Sequence, residues 1–232
     1  MVGAAALAAG TAWLTRSGRG FVIAAGAVGA VSGLVAGVHR IYDWRTARGR
    51  AAFVLDHTWA LATTATGVLG VAVNRAMGEI APDVELSERR NRLVHRRGFV
   101  LRRGFAVTFG YVVNGAAGTN GDLTPSRRNL VDRHEDVHVW QARVFGPVYA
   151  AVYSLWAITG TVTGFVSWLA NRERATLAQF VDAHAYYRNP FEWHAYSRDG
   201  NWPPRSANPE LVWDRPFPSI IRGSSGIRAT PH

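Results

Sequence analysis

The longest apolar run in the chain constrains its fold most. Residues 21–38 form 18 consecutive positions without a charged side chain, and a helix of that length crosses most of a hydrocarbon core of about 30 Å. Its glycines recur three and four residues apart, at Gly26, Gly29, Gly33 and Gly37. Such spacing lets a second helix approach closely. The apolar segment 2–14 is the expected partner, so residues 1–50 are predicted to form a transmembrane hairpin followed by a basic loop.

The charged residues set expectations about orientation and partners. All 26 basic residues are arginines and the formal net charge is +10, which suits an anionic membrane surface or a nucleic acid. The arginines between Arg89 and Arg103 accompany no nucleic-acid-binding motif, so membrane lipids are the expected partner and no nucleic acid is expected. The short, arginine-rich loop 39–50 is typical of a segment that stays cytoplasmic.

The middle of the chain mixes apolar and polar patterns. Residues 51–73 are apolar but include Asp56 and His57, which need a partner or water in a membrane, so this segment is predicted to span the membrane or to lie in its interface. Alternating apolar residues over 105–113 predict a strand. Residues 93–101 are expected to pair with it as an antiparallel hairpin through the turn at 102–104.

Helix signals follow this strand. Thr124 and Pro125 are typical of an N-cap and a first helical position, so a helix is predicted from there through His134 to about residue 145, where Gly146 and Pro147 interrupt it. Residues 173–187 are also predicted to be helical. The proline-rich segment 199–232 is expected to form an irregular tail on the surface.

One motif carries metal chemistry. In His134-Glu135-x-x-His138 the two histidines are four residues apart, so on a helix both imidazoles share one face and can hold a single zinc ion. Glu135 then lies beside the metal, where it can take a proton from water. The chain contains no cysteine, so the remaining ligand must be a histidine or a carboxylate.

Zinc normally takes three protein ligands when one position stays open for water. Glu192, in the sequence NPFEWHAY, is the best candidate for the third ligand. His194, His184 and Asp182 are the alternatives.

These residues carry a resemblance. His134, Glu135 and His138 followed by a later glutamate resemble the gluzincin pattern of zinc metallopeptidases. A closer resemblance is to a group of small, uncharacterised bacterial membrane proteins with the pattern HExxHVxQ, WGP and NPFE. This chain has HEDVHVWQ, Gly146-Pro147 and NPFEWHAY at the corresponding places. Phe145 stands where those proteins have the tryptophan of WGP. The segment LDHTWALATT, residues 55–64, is also similar to theirs.

The resemblance implies a mainly α membrane protein with a small antiparallel β element, in which residues 51–198 form a minimal zincin-like α+β domain attached to the bacterial inner membrane in a multi-pass chain. The implied activity is zinc-dependent hydrolysis, most plausibly of a peptide bond, with Glu135 as the general base. Tyr186, Tyr187 or His184 would stabilise the oxyanion. His194 stands where the similar proteins often have an acid.

Two charged residues depart from the peptidase pattern. Zincin peptidases usually keep the position two before the first histidine and the positions between the histidines uncharged, whereas Asp132 and Asp136 occupy such positions here. Asp136 is therefore also interpreted as an outer acceptor that orients a ligand imidazole.

The motif also limits the topology. If residues 144–168 crossed the membrane as one helix, His138 and Glu192 would lie on opposite sides and could not share a metal. We therefore predict that this segment is broken by Gly146-Pro147 and by Gly160 and Gly164. It is expected to be a helical hairpin, a re-entrant pair or an apolar helix packed on the domain, which returns the chain to its starting side. The rival hypothesis is a non-catalytic membrane protein, such as an accessory subunit of a larger envelope complex, whose metal is structural or absent.

Overall fold

The N-terminal hairpin forms as the glycine spacing predicts. A computed structural model describes residues 1–79 and 81–218, and in it helix α1 (Val2–Leu14) packs antiparallel on helix α2 (Arg19–Val38). A Cβ atom on Gly29 would lie 2.6 Å from the carbonyl oxygen of Ala4, and one on Gly33 would lie 2.6 Å from the Ala4 Cβ atom. Only glycine permits this approach of the two helices.

Two helices of the described residues are long and apolar enough to cross a membrane. They are α2 and the helix that runs from Pro125 to Ala170. Helix α1, with 13 residues, is shorter than a normal span.

Residues 51–73 do not form one spanning helix. Helix α3 (Ala47–Asp56) and helix α4 (Leu61–Ala76) divide this region, so the prediction that it spans the membrane as one segment is corrected. The break follows Asp56, whose buried carboxylate binds the guanidinium of Arg143 at 2.9 Å and 2.8 Å and accepts a hydrogen bond from Tyr42 at 2.7 Å. Removing one partner of such a buried pair typically costs about 3–5 kcal/mol. The pair therefore ties α3 to the helix that carries the histidines.

The sheet is small and mixed. After the short helix α5 (Val84–Ser87), strands β1 (Leu93–Val94), β2 (Val107–Phe109) and β3 (Val112–Asn114) take the order β1-β3-β2, with β1 parallel and β2 antiparallel to β3. The predicted antiparallel pairing of residues 93–101 with 105–113 is therefore wrong.

The single strand predicted over 105–113 is instead a tight hairpin. Gly110 turns the chain with a φ of 57°, and a Cβ atom there would lie 2.2 Å from the carbonyl oxygen of Thr63. The approach of α4 to this turn requires glycine. The turn separates β2 from β3, whose buried valines join the main core with Val131 and Val139.

The helix predicted from Thr124 is confirmed, and it continues much further. The Thr124 hydroxyl caps its start by accepting from the Arg127 amide. The successive segments are α6 (Pro125–Asn129), a π-helical stretch (Leu130–Glu135), α7 (Asp136–Phe145), a 3₁₀ turn (Gly146–Val148) and α8 (Tyr149–Ala170).

Of the three alternatives predicted for residues 144–168, the hairpin and the re-entrant pair are wrong, and the apolar helix packed on the domain is confirmed. Gly146 and Pro147 produce only the 3₁₀ turn, and α8 is one helix of 22 residues packed on the domain. Gly160 and Gly164 do not break it. At these two glycines, residues 180–185 pack directly on α8. Cβ atoms there would lie 2.5 Å and 2.7 Å from the carbonyl oxygens of His184 and Phe180.

The chain returns along α8. Helix α9 (Leu177–Val181), a π-helical stretch (Asp182–Tyr187) and α10 (Pro190–Arg198) follow, so the helix predicted over 173–187 begins a few residues later, at the Thr176 cap. The tail is irregular apart from a 3₁₀ turn at Pro209–Leu211. Its part beyond residue 218 lies outside the described residues.

The glycine contacts of the hairpin allow a paired test. We expect Gly29→Ala to destabilise the protein by about 1–3 kcal/mol, since the new methyl group overlaps the backbone of α1. Gly37→Ala is the matched control, because a Cβ atom there meets nothing within 4 Å. Thermal unfolding in detergent measures both. Equal melting temperatures for the two variants would contradict the packing of α1 on α2.

Candidate metal centre

Three side chains from two distant segments meet in the interior. His134 lies in the π-helical stretch, His138 lies in α7, which continues it, and Glu192 lies in the first turn of α10. The two imidazole Nε2 atoms are 3.2 Å apart, and they lie 3.4 Å and 3.3 Å from the two carboxylate oxygens of Glu192. All three side chains are buried and offer ligand atoms within 4.8 Å of one another, so this group could hold a metal ion.

Local sequence explains how Glu192 reaches the histidines. Asn189 caps α10 by accepting from the Phe191 amide at 3.0 Å, and Pro190 occupies the first helical position. The Phe191 carbonyl then accepts a hydrogen bond from Gln141, one turn after His138, at 3.0 Å. This contact fixes α10 against α7.

The donor set has the signs of a cation site. One carboxylate oxygen of Glu192, Oε2, is buried without a hydrogen-bond partner in the described part of the chain, which is costly unless a further group satisfies it. The other oxygen accepts from the Tyr153 hydroxyl at 2.8 Å. An orphaned carboxylate oxygen that lies 3.4 Å from an imidazole nitrogen fits a cation better than it fits a closed hydrogen-bond network.

A second layer of polar groups orients the ligands. The Nδ1 atom of His134 has no hydrogen-bond partner in the described residues and lies 3.4 Å from the Asp199 carboxylate, at ion-pair distance. The Nδ1 atom of His138 lies 2.8 Å from the amide oxygen of Gln141. Metal-binding histidines commonly use the second ring nitrogen in this way, which directs the first one at the metal. The Tyr149 hydroxyl adds a longer contact to His138 Nδ1, at 3.4 Å.

The charges of the ligands support one another. Burial alone would raise the pKa of Glu192, but the facing histidines His138 and His134 outweigh it and hold that pKa well below its usual range. Burial alone would lower the pKa of His134, but the carboxylates of Asp199 and Glu192 raise it to about 10. The glutamate is therefore ionised, as a metal ligand must be, and a bound metal would replace the imidazole proton.

Glu135 lines a polar cleft that His134 also lines. It is buried, and its carboxylate accepts a hydrogen bond from the Thr108 hydroxyl of β2 at 2.7 Å. The cleft has a volume of about 620 Å³ and is lined by polar and aromatic residues that include His134, Glu135, Arg127, Tyr186, Tyr196 and Asp199. Solvent and a ligand can therefore approach the ligand cluster from this side.

The other candidate ligands lie outside the cluster. His184 contacts the Phe180 carbonyl at 2.9 Å and Arg188 at 3.1 Å. His194 contacts Gln141 at 3.3 Å, so it lies one side chain away from His138. Asp182 does not belong to the group that could hold a metal.

Of the remaining predicted site residues, Tyr186 lies at the cleft, whereas Tyr187 and Asp136 have other partners. Tyr186 lines the cleft, whereas the Tyr187 hydroxyl binds Ser206 at 2.8 Å. Asp136 does not orient an imidazole, because its carboxylate binds Arg48 and Arg92, each at 2.9 Å. Arg92 also pairs with Asp132.

Some residues of the site were missed. Gln141 follows His138 by three residues, and Asp199 follows Glu192 by seven, so both share a helix face with a ligand and could have been found from spacing. Tyr153 and Thr108 had no such signal. They reach the site only because the chain folds back along α8 and because β2 packs on α7.

Comparison of the chain with family models, with curated proteins and with solved structures finds no match in any of the three.

The role of Asp199 as an orienting group is testable. We expect Asp199→Asn to weaken zinc binding about 10–100-fold, because the His134 ring loses the negative charge that lies 3.4 Å from its second nitrogen. Competition with a chelator in detergent solution measures the dissociation constant.

The matched control is Asp182→Asn, which removes a carboxylate from outside the cluster. It should bind zinc as the unaltered chain does. Unchanged affinity in Asp199→Asn, or a loss in Asp182→Asn as large, would show that Asp199 has no orienting role.

Proposed function

We propose that the protein is a membrane-bound zinc-dependent hydrolase, and specifically a metallopeptidase. The observation that carries the proposal is the buried cluster of His134, His138 and Glu192, whose His134 lines a polar cleft together with Glu135. Three ligands leave a fourth tetrahedral position for water, as in catalytic zinc sites, whereas structural zinc sites are normally closed by four protein ligands.

Zinc is the metal that best suits the ligands. Zinc bonds of about 2.0–2.1 Å in tetrahedral geometry place neighbouring ligand atoms about 3.3–3.4 Å apart. The two imidazole nitrogens are 3.2 Å apart, and they lie 3.3 Å and 3.4 Å from the two different carboxylate oxygens of Glu192. Two imidazoles and one carboxylate also form a familiar ligand set of zinc hydrolases.

The residues around the cluster supply the steps of hydrolysis. A zinc ion held there would polarise a substrate carbonyl and lower the pKa of water toward neutrality. Glu135 accepts the proton from the attacking water and delivers it to the leaving group. Thr108 holds the Glu135 carboxylate in place through its hydrogen bond. Tyr186 and Tyr196, whose hydroxyls are 3.3 Å apart beside the cleft, are the candidates to stabilise the oxyanion.

The position of β2 favours a peptide as the substrate. It is one of the two edge strands of the sheet, and its Thr108 contacts Glu135. An extended peptide can add to such an edge through backbone hydrogen bonds. A lipid ester or amide is the alternative substrate, because the same chemistry attacks any polarised carbonyl.

The acidic departures from the peptidase pattern do not disturb this chemistry. Asp132 and Asp136 both pair with the buried Arg92, and Asp136 also pairs with Arg48. Their negative charges are therefore neutralised on the far side of the helix from the ligands. The resemblance to gluzincins, which use the same order of two histidines and a later glutamate, supports the same activity.

The proposed location is the bacterial inner membrane, with α1 and α2 as a spanning hairpin. Large apolar side chains on this hairpin are exposed, among them Trp13, Leu14, Phe21, Ile23 and Leu34. Exposed residues of this size are expected to face lipid rather than water. The arginines of loop 39–50, which joins α2 to the rest of the chain, would hold that loop on the cytoplasmic side.

One observation favours a second function. All three ligands are buried, as in sites whose metal only stabilises the fold. The protein would then be a non-catalytic subunit of a larger membrane complex, and loss of the metal would reduce stability without any loss of turnover.

Glu135→Gln separates the two functions. The enzyme should keep its zinc and lose activity by a factor of about 10²–10⁴, since the general base is gone while the ligands remain. Cleavage of fluorogenic peptide libraries by the zinc-loaded protein in detergent, beside zinc content, measures this.

Glu210→Gln, which changes an exposed glutamate of the tail, is the control and should retain full activity. Cleavage by Glu135→Gln at the unaltered rate, or no cleavage by fully zinc-loaded protein on peptides and on lipid esters alike, would refute the hydrolase.

A further inference from the structure

The outer face of α8 is a continuous apolar surface. Seven large apolar side chains, most of them three or four residues apart, are each between 43% and 63% exposed. They are Val152, Leu155, Ile158, Val162, Phe165, Val166 and Leu169. This surface, called here the apolar face, runs for about 26 Å along one side of the helix.

The opposite face of α8 is covered along its length. Tyr153 binds Glu192 of α10 at 2.8 Å, and the Trp156 indole donates to the His184 carbonyl at 3.1 Å. Further along, Gly160 and Gly164 contact the backbone of residues 180–185. A helix that spans the membrane here would therefore take the returning chain with it.

The returning chain is unsuited to the membrane interior. Gly160, near the midpoint of α8, lies against His184, whose Nε2 atom is 3.1 Å from a guanidinium nitrogen of Arg188. If α8 stood across the bilayer, Arg188 and Asp182 would both come close to its centre. Charged groups are costly there. Arg188 also packs on Trp213 of the tail, 5.1 Å from the ring centroid.

The C-terminal end of α8 suits a membrane surface. Arg172 lies over the Trp168 ring at 4.9 Å, and Arg174 follows two residues later. Tryptophan and arginine are typical of the headgroup region, where the ring sits at the interface and the cation meets anionic lipid. Acyl chains are thus the occupant that the apolar face and its polar boundary both favour.

We propose that α8 lies in the plane of the membrane surface, with the apolar face in the acyl chains and the returning segment on the side of the water. Because Tyr153 in the first turns of α8 contacts Glu192, the metal centre is then held at the bilayer surface. A substrate would reach it along the membrane rather than from bulk solution. The proposal requires no hydrolytic activity.

The absence of cysteine makes a sidedness test direct. Single-cysteine variants of the full chain are placed at exposed positions: Glu173→Cys beyond the far end of α8, Glu210→Cys in the tail, and Arg19→Cys at the turn of the α1–α2 hairpin. Each is labelled with a membrane-impermeant maleimide in sealed vesicles of defined orientation.

An in-plane α8 predicts that Glu173→Cys and Glu210→Cys are labelled from the same side. Labelling from opposite sides would overturn the proposal. Arg19→Cys reports separately on the spanning hairpin, which is expected to place it on the other side. Labelling of Arg19→Cys together with Glu210→Cys would thus reject the spanning hairpin without affecting the conclusion about α8.

Depth of insertion gives a second readout. A fluorophore on Ile158→Cys should be quenched by lipids brominated near the headgroup more strongly than by lipids brominated near the chain end. A fluorophore on Ala178→Cys, an exposed position of the returning helix, should be quenched by neither kind of lipid.

Stronger quenching of the Ile158 label by lipids brominated near the chain end would indicate a spanning helix. Protection from both, with disulfide-linked dimers of Ile158→Cys, would assign the apolar face to a second copy of the chain. Either result would refute the proposal.

Discussion

The return of the chain along α8 is the constraint on which the site depends. His138 lies before this 22-residue helix and Glu192 lies after it, so the two can share a metal only if residues 171–189 run back over its whole length. Gly160 and Gly164 permit this return, since side chains there would overlap the backbone of the returning segment. The metal ligands, the orienting Asp199 and the tail all depend on these two close contacts.

Much of the local structure could be predicted from short-range signals. The Thr124 cap, the spacing of His134 and His138 and the glycine repeat of α2 each act within one or two helical turns, where sequence and geometry are tightly coupled. Glu192 was also found correctly as the third member of the cluster. Its cap at Asn189 and Pro190 places it in the first turn of a helix. A zinc site with only two histidines and no cysteine needs a third ligand, which a carboxylate can supply.

Long-range pairing could not be predicted in the same way. β1 pairs with β3 and not with β2, the strand that is nearer in sequence, because the chain turns at Gly110. Nothing in the alternating pattern of residues 105–113 marks that turn beyond the glycine itself. Gly160 and Gly164 were read as breaks in a helix. Glycine inside an apolar helix serves equally well as a point of close packing, and only the position of the partner segment decides between these roles.

Metal content tests the central claim most directly. Elemental analysis of detergent-purified protein should find about one zinc per chain, with the same content in His184→Ala and none in Glu192→Ala. These variants remove one side chain from outside the cluster and one from within it. Retention of zinc by Glu192→Ala, or no zinc in the unaltered chain after zinc is resupplied, would contradict a metal centre built from His134, His138 and Glu192.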